Sequence, residues 1–365
     1  MATTEAVPDP ERGRKVSGKY ELIEIAGEGG MAVVWRARMH GAAGFQRPVA
    51  VKKMKPSLIN QRTHVAMFVE EARVGAELTH PNVVQVVDFV EDGDGTFCLV
   101  TEWVEGIDLA RFLRAYRARR ERMSWALATA IGVGALRGLA AAHERCTMLG
   151  EPAPVIHRDV SPQNILLGVN GVVKISDFGL ARARDRLQSL TAPGMVKGKI
   201  SYLAPEVARG QPASPMTDLF AMGSVLWEAL AGRALFDGAA DRDVFRKIHR
   251  GEVQPLGTER SGLPERLLRI IHRALAVDPA DRFPSARAMA HELATVLAGT
   301  LGDGRDAQTL LGRAVAEARK TLSPPAAAVT PPPVDPATAG TSATATVKTL
   351  ELTVSENELR PFKDR

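Results

Sequence analysis

Cysteine is scarce in this chain: its 365 residues contain two, Cys98 and Cys146. Two thiols build no disulfide framework, so the fold must be held by its own core, and a reducing, cytoplasmic setting is expected. No apolar run of about 18 residues stands out, so no membrane span is expected. The first residues, Met1 to Lys19, are polar, carry Pro8 and Pro10, and lack the apolar centre of a signal peptide. There is no large charge surplus either. The formal net charge of +5 is enough to attract acidic peptides or phosphates but too small to argue for nucleic acid. What remains, 45% hydrophobic and 24% charged residues, suits one large or two smaller globular domains.

The chain divides by pattern. Residues 1–18 read as a disordered leader, and Tyr20–Ala26 as a strand leading through Gly27-Glu-Gly-Gly-Met-Ala-Val-Val34 into a second strand that ends near Arg38. Strand, glycine loop, strand differs from the dinucleotide fingerprint, in which the strand enters a helix. The glycines would let backbone N–H groups approach phosphate oxygens; a plain hairpin turn fits the same stretch. Pro48–Lys53 reads as a third strand carrying Lys52. His64–Leu78 has helical spacing and carries Glu71, and Val83–Val90 and Thr96–Glu102 read as two more strands. By themselves Lys52 and Glu71 are ordinary surface charges.

Beyond Glu102 the pattern turns helical. Asp108 caps a helix to about Arg122, Ser124 caps a long one from Trp125 to Cys146, and Asn170-Gly171 joins two very short strands. Further helices are expected near 217–231, 241–249, 264–276 and 285–298. The basic run Arg111–Arg122 reads as a solvated helix face rather than a docking patch. Residues 300–322 form a helical extension, 323–348 a Pro/Ala/Thr-rich linker and 349–365 a short tail.

Chemistry enters at Val155-Ile-His-Arg-Asp-Val-Ser-Pro-Gln-Asn-Ile-Leu-Leu167, which places Asp159 and then Asn164 on a loop between apolar runs. Asp177-Phe178-Gly179 and Ala204-Pro205-Glu206 follow in that order. Transfer of a phosphoryl group needs positioning and charge neutralisation more than covalent chemistry: a phosphate cradle, a lysine, two metal-holding ligands and a carboxylate for the acceptor hydroxyl. Gly27 and Gly29, Lys52, Glu71, Asp159, Asn164 and Asp177 supply these groups in sequence order, and coincidence does not readily produce that order.

On these motifs the sequence resembles the bacterial protein kinases of the eukaryotic (Hanks) type over about residues 20–298, with the His157-Arg-Asp-Val-Ser-Pro-Gln-Asn164 wording of the myxobacterial serine/threonine kinases. The resemblance implies an α+β, bilobal protein kinase fold spanning 19–299, with a small β-rich N-lobe (about 19–102) and a larger helical C-lobe (about 107–299). It implies ATP and Mg²⁺ as cofactors and protein substrates with Ser/Thr acceptors, together with dimerisation for autophosphorylation. Adenine would lie between Val34 and Ala50 above and Leu166 below, near Ala26, with backbone bonds from the hinge Glu102–Val104 and Thr101 as gatekeeper. Asp108 would meet the ribose. Lys52 would hold the phosphates and pair with Glu71, Asn164 and Asp177 would bind Mg²⁺, and Asp159 would take the hydroxyl proton. Arg158 implies control through the activation segment, with Thr191 and Ser189 as acceptors. Glu206 should pair with Arg282, and Asp218 should brace the catalytic loop.

Four positions depart from the family pattern. Ala32 replaces the third loop glycine, and the segment Cys146–Pro154 is long. Gly75 stands where a larger apolar residue is usual, so the Glu71 helix is expected to be loosely held. Ser161 and Lys199 occupy the places of the usual lysine and threonine, which weakens the argument for Ser/Thr over Tyr acceptors; Lys199 could supply the missing cation from the segment side. Two other readings share parts of this pattern. A partner-binding pseudokinase would usually have lost Lys52, Asp159 or Asp177. A small-molecule kinase would generally lack the Ala-Pro-Glu segment with its Asp218 and Arg282 partners.

Overall fold

The computed structural model describes residues 10–147, 149–178, 200–238, 240–301 and 304–322. Ser189, Thr191 and Lys199, the 323–348 linker and the 349–365 tail lie outside the described residues.

Alternating apolar residues build the N-lobe. Strands β1 (Lys15–Val16), β2 (Tyr20–Glu28), β3 (Ala32–His40), β4 (Gln46–Met54), β5 (Val86–Glu91) and β6 (Phe97–Glu102) form one antiparallel sheet in the order β1-β2-β3-β4-β6-β5. One face buries Tyr20, Leu22, Trp35, Val49, Val51 and Val100. The other packs Met54 and Leu99 against Phe68 and Ala72 of helix α1 (Arg62–Glu77), as expected of strands with period-two burial.

The sheet has one strand more than the five legible in the sequence, because the leader is ordered from Pro10 onward. Val16 pairs with Tyr20 and is fully buried. Arg14 bonds Asp92 at 2.6 Å, and the buried Lys53 bonds Glu11. These partners lie far along the chain, so a polar leader that reads as disordered gains its order from tertiary ion pairs.

The C-lobe is built on α3 (Trp125–His143) and α5 (Pro215–Ala231). Between β6 and α3 run β7 (Gly106–Asp108) and α2 (Leu109–Ala118), and α2 stops at Ala118, short of Arg122, where Arg120 takes a φ of 56°. β8 (Ile165–Gly168) and β9 (Val173–Ile175) complete a three-stranded sheet with β7. The short α4 (Pro205–Ala208) precedes α5. After it come α6 (Asp241–Arg250), α7 (Leu256–Glu259), α8 (Glu265–Ala274), α9 (Ala286–Leu301) and α10 (Gly304–Leu322). Among the described helices α3 alone is long and apolar enough to cross a membrane by length and composition, which the sequence reading did not identify. Since 67% of its apolar window is buried inside the fold, it serves as the central core helix of this lobe.

Capping explains where several elements start. The Asp108 carboxylate accepts the Arg111 N–H at 2.8 Å, Ser124 accepts the Leu127 N–H, and Ser214 and Thr217 form a reciprocal capping box. Part of the basic run Arg111–Arg122 is used internally: Arg117 reaches Glu228 at 2.5 Å, and Arg122, beyond the end of α2, donates to the Glu259 carbonyl.

Candidate active site

The sheet places Lys52 on β4 opposite Val34 of β3 and Leu99 of β6. Its ammonium lies 2.5 Å from Glu71 Oε1 of α1 and 2.7 Å from Asp177 Oδ1 just after β9. Burial alone would push the Lys52 ammonium towards neutrality, but Asp177 and Glu71 reverse this, so its proton is held more tightly than that of a free lysine. Burial raises Glu71, against the pull of Lys52. These three residues come from separate parts of the chain and meet only through the fold.

The catalytic loop is fixed by backbone bonds. Asp218 of α5, almost fully buried, accepts the His157 and Arg158 N–H groups at 2.8 Å each and bonds His143 Nε2 at 2.7 Å. His157 Nδ1 accepts the Asp159 N–H at 3.2 Å, so the ring proton sits on Nε2 and points at the Ser176 carbonyl, 3.0 Å away. Asn164 donates its amide to the Asp159 carbonyl at 2.8 Å, and its own carbonyl accepts the Ser176 N–H at 3.0 Å. Asp159, Asn164 and Asp177 are thereby held in one network. Arg158 and Asp177 both take left-handed backbone, with φ of 64° and 56°. Such conformations cost energy for residues with a Cβ and persist where their surroundings fix them.

A cavity of about 270 Å³ lies between the lobes. Ala26, Gly27, Val34, Ala50, Lys52, Glu71, Thr101, Glu102, Val104, Asp108, Leu166 and Asp177 all line it. Gly29, at the hairpin tip, does not; its N–H bonds the Ala32 carbonyl at 2.9 Å. A Cβ at Gly27 or Gly30 would meet nothing within 4 Å, and neither has a positive φ. Neither packing nor backbone geometry therefore requires glycine there, whereas close approach of phosphates would. Burial raises the Asp108 carboxyl, with the Arg111 backbone bond opposing it.

The sequence reading missed several lining residues. Arg111 and Gln163, one turn after Asp108 and two residues after Ser161, line the cavity, and so does Trp103, which the sequence places inside the Glu102–Val104 hinge without giving its side chain a role. Gly75, Val84, Val86, Leu99, Ile175 and Phe178 line the cavity as well. Gly75 was singled out, but for a loosely held helix. Val86 stands where a larger side chain would begin: a Cβ on residue 75 would come 2.7 Å from its Cγ2. Helix α1 is held close enough for Glu71 to pair with Lys52.

Glu206 and Arg282 form a buried bidentate pair, with distances of 2.8 and 2.7 Å. The guanidinium also donates to the carbonyls of Ala276, Met216 and Val277, and Thr217 Oγ1 donates to Glu206. A buried charge pair needs this completeness to offset its desolvation.

A family model described as the protein kinase domain matches residues 20–294. A tyrosine-protein kinase named MasK from Myxococcus xanthus is 40% identical over 280 residues, covering 77% of this chain and 43% of that protein. The serine/threonine-protein kinase PrkC of Bacillus subtilis is 31% identical over 283 residues, covering 78% and 41%. PknA of Mycobacterium tuberculosis is 35% identical over 294 residues, covering 80% and 64%. This chain thus spans less than half the length of MasK and PrkC. Among solved structures, the PknI kinase domain of M. tuberculosis aligns with a TM-score of 0.57 at 25% identity, over 78% of this chain and 98% of that one. With the family match extending from β2 into α9 and enclosing the whole Lys52–Asp159–Asp177 network, the chain belongs to the protein kinase family.

Proposed function

We propose that this chain transfers the γ-phosphate of ATP, with Mg²⁺, to serine or threonine hydroxyls of protein substrates. The observation that carries the proposal is Lys52, which bridges Glu71 and Asp177 in a cavity that the hinge residues Glu102, Trp103 and Val104 also line. A cation so placed can hold phosphates in line for transfer, and the glycine hairpin above it leaves room for them. Asp177 offers a carboxylate and Asn164 an amide oxygen, hard oxygen donors that suit Mg²⁺, which takes few protein ligands and shares the rest with phosphates and water. Bound there, Mg²⁺ supplies charge neutralisation at the transferred phosphoryl group. The Asp159 carboxylate, positioned by the His157 and Asn164 bonds, accepts the proton of the acceptor hydroxyl.

The serine/threonine assignment draws support from PrkC and PknA, which are named serine/threonine-protein kinases. A tyrosine acceptor is the second reading, favoured by the name of MasK and by Ser161 standing where Ser/Thr kinases usually carry lysine. Autophosphorylation on Thr191 or Ser189 through a dimer, and a cytoplasmic location where ATP is available and Cys98 and Cys146 stay reduced, belong to the same proposal. The test is incubation with γ-labelled ATP, Mg²⁺ and a generic protein substrate, followed by acid hydrolysis and separation of the phosphoamino acids. Phosphoserine and phosphothreonine are expected. Label only in phosphotyrosine would install the second reading, and no label in protein would remove both.

A further inference from the structure

Helix α10 lies beyond the 20–294 family match, yet it is built into the catalytic unit. Leu311, Val315 and Ala318 are essentially fully buried in the C-lobe core, at helical spacing that puts them on one face. That face packs against α2, α3, β7 and β8. Two glycines permit a close approach. A Cβ at Gly312 would meet the Val169 carbonyl oxygen at 2.5 Å, and one at Gly171, whose φ is 75°, would meet the Gln308 carbonyl oxygen at 1.9 Å. Gln308 also donates to the Asn170 carbonyl at 3.0 Å. The N-terminal part of α10 therefore sits on the β8–β9 turn, backbone against backbone.

Its other end reaches the hinge. Arg319 Nη2 bonds Glu105 Oε1 at 2.6 Å, while Glu105 Oε2 accepts the Trp103 indole N–H at 2.9 Å and lies 3.8 Å from Arg36 Nη2 of β3. The Arg36 guanidinium in turn stands over the Trp103 ring, 5.5 Å from its centroid. The indole bond first, then Arg319 and Arg36, hold the Glu105 carboxyl below its ordinary value, so the carboxylate is charged at neutral pH. Glu105 is thus a junction where an N-lobe strand, the hinge and α10 meet. Its backbone carbonyl accepts the Val169 N–H at 2.9 Å, linking it to the hairpin that carries Leu166. Trp103, Val104, Asp108 and Leu166, all joined to this junction or next to it, line the nucleotide cavity.

We infer that Arg319 is a positioning residue for nucleotide binding: through Glu105 it sets the hinge against which adenine docks, so that α10 tunes ATP affinity without touching ATP. The inference rests on the ATP reading of this cavity. The chemical ground is preorganisation, since a hinge already held in its binding conformation loses less freedom when the ligand arrives. The pair is partly exposed, at 39% for Arg319 and 44% for Glu105, so its effect is that of a surface ion pair and salt should screen it.

The test uses the full chain, with Mg·ATP binding by calorimetry, KM for ATP, kcat and Tm measured for wild type, Arg319→Ala and Arg319→Lys. Arg319→Ala should raise Kd and KM for ATP about two- to five-fold at low salt, with kcat changed less than about two-fold. Tm should stay near the wild-type value. Arg319→Lys should recover most of the affinity, and the difference should shrink at about 0.5 M salt. An unchanged Kd in Arg319→Ala overturns the inference, as does a parallel fall of kcat, affinity and Tm, which would mark a purely structural role. A wild-type chain that binds no Mg·ATP would instead overturn the reading of the cavity itself.

Discussion

Gly75→Leu tests how closely packing and catalysis are linked. An ideal Cβ on residue 75 lies 2.7 Å from Val86 Cγ2, and leucine would add three more carbons beyond it. Val86 is β-branched and has few rotamers into which to retreat. Overpacking costs about 1–3 kcal/mol, while removing a helical glycine returns at most about 1 kcal/mol. The return is smaller here because α1 ends two residues later, at Glu77. A net loss of about 1–2 kcal/mol should lower Tm by about 3–6 °C. Activity should fall as well, since Glu71 lies one turn earlier on the same face and any outward shift of α1 lengthens the 2.5 Å Lys52–Glu71 bond. Thermal melts and steady-state kinetics with Mg·ATP read both effects, and Val86→Ala introduced beside Gly75→Leu should restore part of each. A Gly75→Leu variant with higher Tm or higher kcat would refute the packing argument, because it would mean a cavity had been filled.

Three further outcomes are expected. Arg282→Leu should destabilise the chain by about 3–5 kcal/mol in urea unfolding, because it strands the buried Glu206 carboxylate; a loss below about 1 kcal/mol would show that the pair is dispensable. Lys199→Ala should lower kcat with little change in ATP affinity, and Ser161→Lys in that background should recover part of it; a wild-type rate in Lys199→Ala would end the idea that this lysine supplies the missing loop cation. Mass spectrometry of active protein should find phosphate on Thr191 or Ser189, and finding both unmodified in a fully active sample would remove that mode of control.

Much of this site was legible because its residues are punctuated by local motifs. The order Lys52, Glu71, Asp159, Asn164, Asp177, Glu206 needs only sequence spacing to be seen, and capping residues such as Asp108 and Ser124 announce the helices they start. Contacts between distant segments were not legible. The leader at Arg14 and Val16 is ordered by Asp92 and Tyr20, and nothing local in a polar stretch announces such partners. The effect of Gly75 depended on Val86, which only the β5–α1 packing places against it. The Arg319–Glu105 bond joins the hinge to a helix whose own sequence signals no more than helical periodicity. Gly106 hid its reason in the same way: a Cβ there would meet the Leu167 carbonyl oxygen at 1.9 Å across the β7–β8 pair.

The central claim, phosphoryl transfer with Asp159 as the base, is tested most directly by comparing wild type with Asp159→Asn for label transferred from γ-labelled ATP, alongside Mg·ATP binding by calorimetry. Transfer should fall about 10²–10⁴-fold with ATP affinity close to wild type. A variant that keeps more than about a tenth of the wild-type rate would contradict the claim.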